Sequence, residues 1–408
     1  MLEFAAKIDA NAQDLAYIEG LDNGKSIGAA MYDVGFVATL MRYYAGKTID
    51  GKAVPRNDQN NLVTTRYEPV GVCGLITPWN FPILMTAFKM APMLASGSTG
   101  VFKPSELACL STIKLAELWS QIDDVPPGVI NICQGVGPEA GEALVDHLGV
   151  SKIGFTGSTA VAKRIMGRAN VNMKRLNLEA GGKSPLIIFD DADLQKAAGT
   201  TFFAGFLNSG QFCGQPSRIF VHEKVHDQVV EMITGMTKQA VKLGAFDEEG
   251  VTHGPLISEP QMNKVLAFIA KGKEEGATLV TGGNRLDRPG YFVEPTIFTD
   301  VEDHMTIARE EIFGPVLSVF KFSDADEVIR RANDTPYGLT GSVFTSNMTT
   351  AQKVATGVKA GFMHVNTYFA IGPEVPFGGM KNSGFGRELG EDGLKNFLEA
   401  KTIVYDFN

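Results

Sequence analysis

Short apolar runs alternate with amphipathic stretches along most of the chain, and this rhythm constrains the fold more than any other feature. The runs at 70–77, 99–103, 129–133, 152–156 and 176–179 are nearly continuous in apolar or small residues, as strands covered on both faces are. Helical spacing lies between several of them, at 82–95, 105–119, 139–147 and 158–169, which is the pattern of βαβ units in a parallel sheet. Gly181-Gly182 breaks the series, and a second one runs through 184–189, 218–221, 278–281, 316–322, 340–345 and 361–366. Two α/β domains joined near residue 181 are the economical reading. Ahead of the first strand, Phe4, Ile8, Leu15, Ile18 and Leu21 recur at helical spacing up to Asn23-Gly24, and a second amphipathic stretch closes at Gly46. Segments 61–68 and 401–407 read as strands of a separate protruding sheet.

Length and charge narrow the function. A chain of 408 residues is long for one core, so two or three domains are expected. A net charge of -9 disfavours a nucleic-acid partner, and no apolar run is long enough to span a membrane. The four cysteines, Cys73, Cys109, Cys133 and Cys213, are widely spaced and read as reduced thiols of an intracellular, cytoplasmic protein. Met1-Leu2-Glu3-Phe4 resembles neither a signal nor a transit peptide. No metal site is expected, since the six histidines are scattered and His222 with His226 has no third ligand nearby.

Several strand ends carry candidate chemistry. Gly135 to Ala140 matches GxGxxA after a strand, yet the acidic ribose ligand expected roughly 20 residues on is replaced by Phe155-Thr156-Gly157-Ser158, which favours a plain turn. That second segment, with Thr159, is the better phosphate candidate because it opens a helix with free N–H groups. Lys103-Pro104-Ser105-Glu106 sets an ammonium and a carboxylate at another strand end, where a capped surface helix is the plainer alternative. In Thr77-Pro78-Trp79-Asn80-Phe81-Pro82 two prolines bracket an asparagine whose amide is either a helix cap or a fixed donor to an oxyanion. Cys213 sits between glycines in Asn208-Ser209-Gly210-Gln211-Phe212-Cys213-Gly214, where a thiol is reachable as a nucleophile. Glu179 ends a strand beside the domain junction and is either a solvated charge or a general base.

Taken in order, TPWNFP (77–82), KPSE (103–106), GFTGS (154–158), LEAGGK (178–183), GQFC (210–213), EEIFGPV (310–316) and PFGGMKNSGFGRE (376–388) resemble the aldehyde dehydrogenase superfamily, in look its broad-specificity NAD-linked branch. The resemblance implies a Rossmann-like cofactor domain over 1–60 and 70–181, an α/β catalytic domain over 182–385, and oligomerisation strands at 61–69 and 398–408 of a homodimer or homotetramer. It implies Cys213 as nucleophile, Glu179 as general base and Asn80 as oxyanion donor. Cofactor binding would fall to Thr77, Trp79, Lys103, Ser105, Glu106, Gly157, Ser158, Glu311 and Phe313, with NAD favoured over NADP and no metal. Phe81, Met85, Phe88 and Phe212 suggest an apolar substrate tunnel, with plain core packing as the equal alternative. The implied reaction oxidises an aldehyde to an acid through a cysteine thiohemiacetal and thioester. The alternatives are a noncatalytic, crystallin-like use of the fold and a CoA-acylating enzyme.

The chain also departs from the family pattern. Gln215-Pro216 stand before Ser217-Arg218 where an Ala-Gly pair is usual, Asn208-Ser209-Gly210-Gln211 replaces Asn-Gln-Gly-Gln, and Ala180 stands where Leu is common. The first residues fall within a helix that relatives precede with further chain, so the N-terminus reads as shortened, and a lost transit peptide would make the location mitochondrial.

Overall fold

A computed structural model describes residues 1–55 and 60–407 as an α/β protein with three sheets. The first sheet has six strands in the order Gly384–Phe385, Arg175–Glu179, Lys152–Thr156, Val72–Ile76, Thr99–Lys103, Ile130–Ile132. All of its pairings are parallel except that of Gly384–Phe385 with Arg175–Glu179. From Val72–Ile76 the chain builds outward through Thr99–Lys103 to Ile130–Ile132, then returns to the other side of its starting strand with Lys152–Thr156. That reversal opens a crevice at the strands' carboxyl ends, the usual ligand position in open α/β sheets.

Helix Pro82–Ser96 shows how local sequence serves this layout. Pro82 occupies the first helical turn, where its missing N–H costs nothing, and Gly97 at φ 79° ends the helix in the left-handed region. Between them the helix is almost wholly buried and packs on helix Ile27–Ala45.

The second sheet has seven strands in the order Thr278–Thr281, Thr296–Thr299, Val316–Phe322, Arg218–His222, Pro185–Ile188, Thr340–Phe344, Phe362–Val365, parallel apart from the first pair. Residues 180–184 link the carboxyl end of Arg175–Glu179 to the start of Pro185–Ile188. The crevice of the first sheet therefore faces the loops that enter the second. The third sheet is antiparallel, with Asn61–Pro69 in the middle, paired along its length with Leu398–Asp406 on one side and with Lys52–Val54 on the other.

Some elements differ from expectation. Residues 105–109 form a turn and the helix starts at Leu110, because Pro104 and the Ser105 side chain, which accepts the Leu107 N–H, favour a bend. The opening helical pattern is two helices, Leu2–Ala10 and Ala12–Asn23, split at Asn11. Strands Lys52–Val54 and Thr296–Thr299 were not anticipated. Gly384–Phe385, inside the span assigned to a catalytic domain, pairs in the first sheet. Of the expected spans 1–60 and 398–408, residues 56–59 and Asn408 lie outside the described residues. Among the described residues no helix is long and apolar enough to cross a membrane.

Candidate active site

The loop before helix Pro82–Ser96 is fixed by hydrogen bonds to its backbone. Asn23 Nδ2 donates to the carbonyls of Trp79 (2.7 Å) and Asn80 (3.3 Å), and Asn208 Nδ2 donates to the Asn80 carbonyl at 2.8 Å. Asn80 is buried, and its own amide donates to the Gln211 carbonyl at 2.9 Å, which brings it against the loop carrying Cys213. Behind it, Lys25 reaches Glu19 (2.9 Å) and Asp33 (2.6 Å) in a buried triad and lies 4.5 Å over the Phe81 ring.

Cys213 follows an unusual stretch of backbone. Asn208 and Ser209 take φ of 50° and 55°, and Gly210 follows at φ 72°. A Cβ on Gly210 would meet the Gly314 carbonyl oxygen at 2.1 Å, so only glycine lets these two loops touch. A Cβ on Gly182 would stand 2.5 Å from the Cys213 carbonyl oxygen, so the Gly181-Gly182 turn passes directly under the cysteine. Tyr368 Oη (2.6 Å) and Thr340 Oγ1 (3.3 Å) both donate to the Gly214 carbonyl. Burial, with the Glu311 and Glu179 carboxylates nearby, pushes the Cys213 thiol up to about 12.

Two carboxylates flank the thiol in different states. Glu179 is 3% exposed and neither of its oxygens makes a hydrogen bond of good geometry, so burial first, and Glu388 second, hold its carboxyl well above the usual range, opposed by Lys89, Arg387 and the nearby Gly379 N–H. Glu311 is anchored, accepting the Gly182 N–H at 2.9 Å. Burial raises its carboxyl too, opposed by that N–H and by Lys264 and Lys183. Phe313, at φ 58°, meets Trp79 edge-on at 5.3 Å, and its carbonyl accepts from Gln261 Nε2 at 2.8 Å.

These groups line one cavity of about 230 Å³. Its walls hold Trp79, Asn80, Gly157, Ser158, Glu179, Cys213, Glu311 and Phe313, and also Phe81, Met85, Phe88 and Phe212. The rings Phe81, Phe212 and Phe369 form a chain of edge contacts at 5.9 and 5.1 Å. Thr77, Lys103, Ser105 and Glu106 lie outside this cavity, beyond the neighbouring strand ends. There the Thr77 N–H donates to the Lys103 carbonyl at 3.2 Å, and Lys103 Nζ pairs with Glu106 at 2.9 Å. Against partial burial, the Glu106 carboxyl is held below its usual range by its own backbone N–H and by Lys103. Ser158 caps helix Thr159–Arg168, accepting the Val161 N–H. The GxGxxA segment does not line the cavity. Gly135 turns at φ 146° against Ala140, as a strand-to-helix turn requires.

The structure also brings in residues that the motifs did not single out. Buried Lys89 ion-pairs with buried Glu388 and donates to Thr156 Oγ1 at 2.6 Å, and Glu388 and Thr156 both line the cavity near Glu179. Lys89 was detectable as the one charged residue of an otherwise apolar helix, and Glu388 ends the quoted motif over 376–388. Among the described residues no group of three or more His, Cys, Asp or Glu is placed to hold a metal ion.

Residues 1–403 match the profile of the Aldehyde dehydrogenase family. The chain belongs to that family. Aldehyde dehydrogenase family 2 member B4, mitochondrial, of Arabidopsis thaliana is 45% identical over 412 residues, covering 100% of this chain and 76% of the relative. An aldehyde dehydrogenase of Enchytraeus buchholzi is 47% identical over 407 residues, covering 99% and 81%. The NAD+ complex of an aldehyde dehydrogenase from Bacillus cereus superposes with a TM-score of 0.97 at 45% identity, covering 100% of this chain and 83% of that one. The α/β fold is shared with these structures, and the chain is an aldehyde dehydrogenase, an enzyme of aldehyde oxidation.

Proposed function

We propose that the chain oxidises apolar aldehydes to carboxylic acids with NAD as cofactor, Cys213 being the nucleophile, Asn80 the oxyanion donor and Glu179 the general base. One observation carries this reading: a thiol, an amide donor and a buried carboxylate held well above its usual range converge on one apolar-walled cavity. The crevice suits a dinucleotide. Thr77 Oγ1 is buried without a partner, the N-terminus of helix Thr159–Arg168 opens at Gly157 and Ser158, and the Lys103–Glu106 pair stands on the adjoining strand. In this reading Glu106, Lys103 and Ser105 hold the adenine ribose and Ser158 with Gly157 the pyrophosphate. Glu311 holds the nicotinamide ribose, with Thr77, Trp79 and Phe313 along the groove. NAD+, when bound, supplies the hydride acceptor that lets a cysteine-bound thiohemiacetal become a thioester.

Cys213 attacks the carbonyl carbon as a thiolate, and since burial and the Glu311 and Glu179 carboxylates raise the thiol's pKa, its proton is released to solvent before the carbon–sulfur bond forms. The Asn80 amide and the Cys213 N–H stabilise the oxygen as it gains charge. Glu179 then takes a proton from water as that water attacks the thioester, releasing the acid and regenerating the thiol. A carboxyl held high by burial is a stronger base than an exposed one. Phe81, Met85, Phe88 and Phe212 give the substrate side chain an apolar wall. Glu179 favours hydrolysis over acyl transfer to a thiol, and a crystallin-like role would not need these groups. We also infer that the antiparallel sheet joins subunits into a homodimer or homotetramer, because it leaves Leu62, Tyr67, Val404 and Tyr405 exposed. Spectroscopic NADH formation over a panel of alkyl, aryl and cationic aldehydes tests the reading. Acid formation with the apolar members supports it, and no NADH with any aldehyde overturns it.

A further inference from the structure

Gln215 stands where the family pattern has a small residue, and the structure gives its side chain a defined task. Buried at 5% exposure, its Nε2 donates to the Gly314 carbonyl at 2.9 Å and to the Gly205 carbonyl at 2.8 Å. One amide thus ties three pieces of chain together: the segment following Cys213, the end of helix Leu194–Phe206, and the loop that carries Glu311 and Phe313. On the other side of Cys213, Gly210 packs directly on the same Gly314 carbonyl. The nucleophile loop is therefore clasped to one peptide group of the facing loop both before and after the reacting cysteine. Pro216 adds to this by fixing φ next to Gln215, and the Gln215 carbonyl accepts the Ser217 N–H at 2.8 Å.

We propose that Gln215 is a positioning residue, a clasp that sets the distance between the Cys213 sulfur and the loop bearing Glu311 and Phe313. The inference rests on the reading above, in which that loop holds the nicotinamide ribose. An alanine in its place makes no such bridge, so the spacing in relatives of the usual pattern must be set by other contacts. Here two hydrogen bonds from one side chain add to the Gly210–Gly314 contact and the Glu311–Gly182 bond in setting it. Losing them leaves the thiol and the carboxylates in place but releases the register between the two loops. Hydride transfer is sensitive to such register: a misplacement of about 1 Å can cost on the order of 100-fold.

The test compares wild type with Gln215→Met, which keeps length and volume but has no donor, and with Gln215→Ala, which fits the space in case methionine is not tolerated. NAD+ and an apolar aldehyde are mixed rapidly with each protein, and the rate and amplitude of the first NADH turnover are recorded beside KM for NAD+ and Tm. The clasp predicts a first-turnover rate per active site lowered ~10- to 100-fold and a raised KM for NAD+, at near wild-type amplitude. A merely structural glutamine would lower amplitude and Tm while the rate per site and KM stayed at wild-type values, and that result overturns the proposal. Failure of the wild type itself to form NADH would count instead against aldehyde oxidation with NAD, so the two ideas fail by different signs.

Discussion

The crevice end at Lys103 and the cavity around Cys213 lie on the same side of the molecule and treat charge in opposite ways. At the crevice, Lys103 is paired with a Glu106 that is 45% exposed, and the neighbouring helix end is capped by Ser158. At the cavity, Glu179 is buried with its carboxyl held well above the usual range, and the thiol beside it is pushed up to about 12 by burial and two carboxylates. Recognition of a polar ligand needs charges kept ionised, each beside its counter-charge. Bond-making needs groups whose proton affinity has been changed, and desolvation is the available means.

The contrast breaks most visibly if the thiol is removed. Cys213→Ser should lower kcat by more than about 10³-fold, the scale on which enzymes lose activity without their nucleophile, while binding of NAD+ followed by calorimetry stays near wild type. Comparable turnover in the serine protein would mean that the cavity is not where chemistry occurs. Next in size, Glu179→Gln should cut steady-state turnover roughly 10²- to 10⁴-fold yet release up to one NADH per site before stalling as a thioester visible by quench mass spectrometry. The pH profile sharpens this. Because the folded carboxyl titrates well above its usual value, the basic form is lost as pH falls through that raised pKa, so deacylation should decline on the acid side far above the ordinary carboxylate range. The glutamine protein should lack that limb, and an identical profile in both would assign it to another group.

Smaller effects probe the supports. Lys25→Met leaves Glu19 and Asp33 buried without their cation, which should cost about 3–5 kcal/mol of stability in denaturant titration. A loss under 1 kcal/mol would show that the triad does not hold the Asn80 loop. At the crevice, Glu106→Gln should weaken use of NAD by about 1.5–3 kcal/mol at most, and narrow its advantage over NADP by relieving repulsion of a second phosphate. An unchanged ratio of kcat/KM for the two cofactors would remove Glu106 from that choice.

Much of this was legible because the first sheet's strands are short, apolar and closed by polar residues at their carboxyl ends. Thr77, Lys103, Thr156 and Glu179 each mark such an end, and the structure places all four along one edge. What escaped depends on contacts between distant residues. Lys89 and Glu388 are 299 positions apart, and nothing local tells that a lone lysine in an apolar helix has a carboxylate to meet. Gln215 reads in the sequence only as a departure from the family pattern, since its value depends on two carbonyls at 205 and 314. Thr296–Thr299 was missed because four residues beside a proline carry too little periodicity to announce a strand.

The late return of the chain to the first sheet has a consequence for biosynthesis. Gly384–Phe385 pairs beside Glu179, Glu388 closes on Lys89, and Leu398–Asp406 zips along Asn61–Pro69, all with partners made hundreds of residues earlier. A ribosome that has already released Asn80, Glu179 and Cys213 still holds a polypeptide whose edge strand is bare and whose buried ammonium has no counter-ion. The nascent chain therefore carries Cys213 without a finished cavity around it until residues 384–406 have been made and can close on their partners.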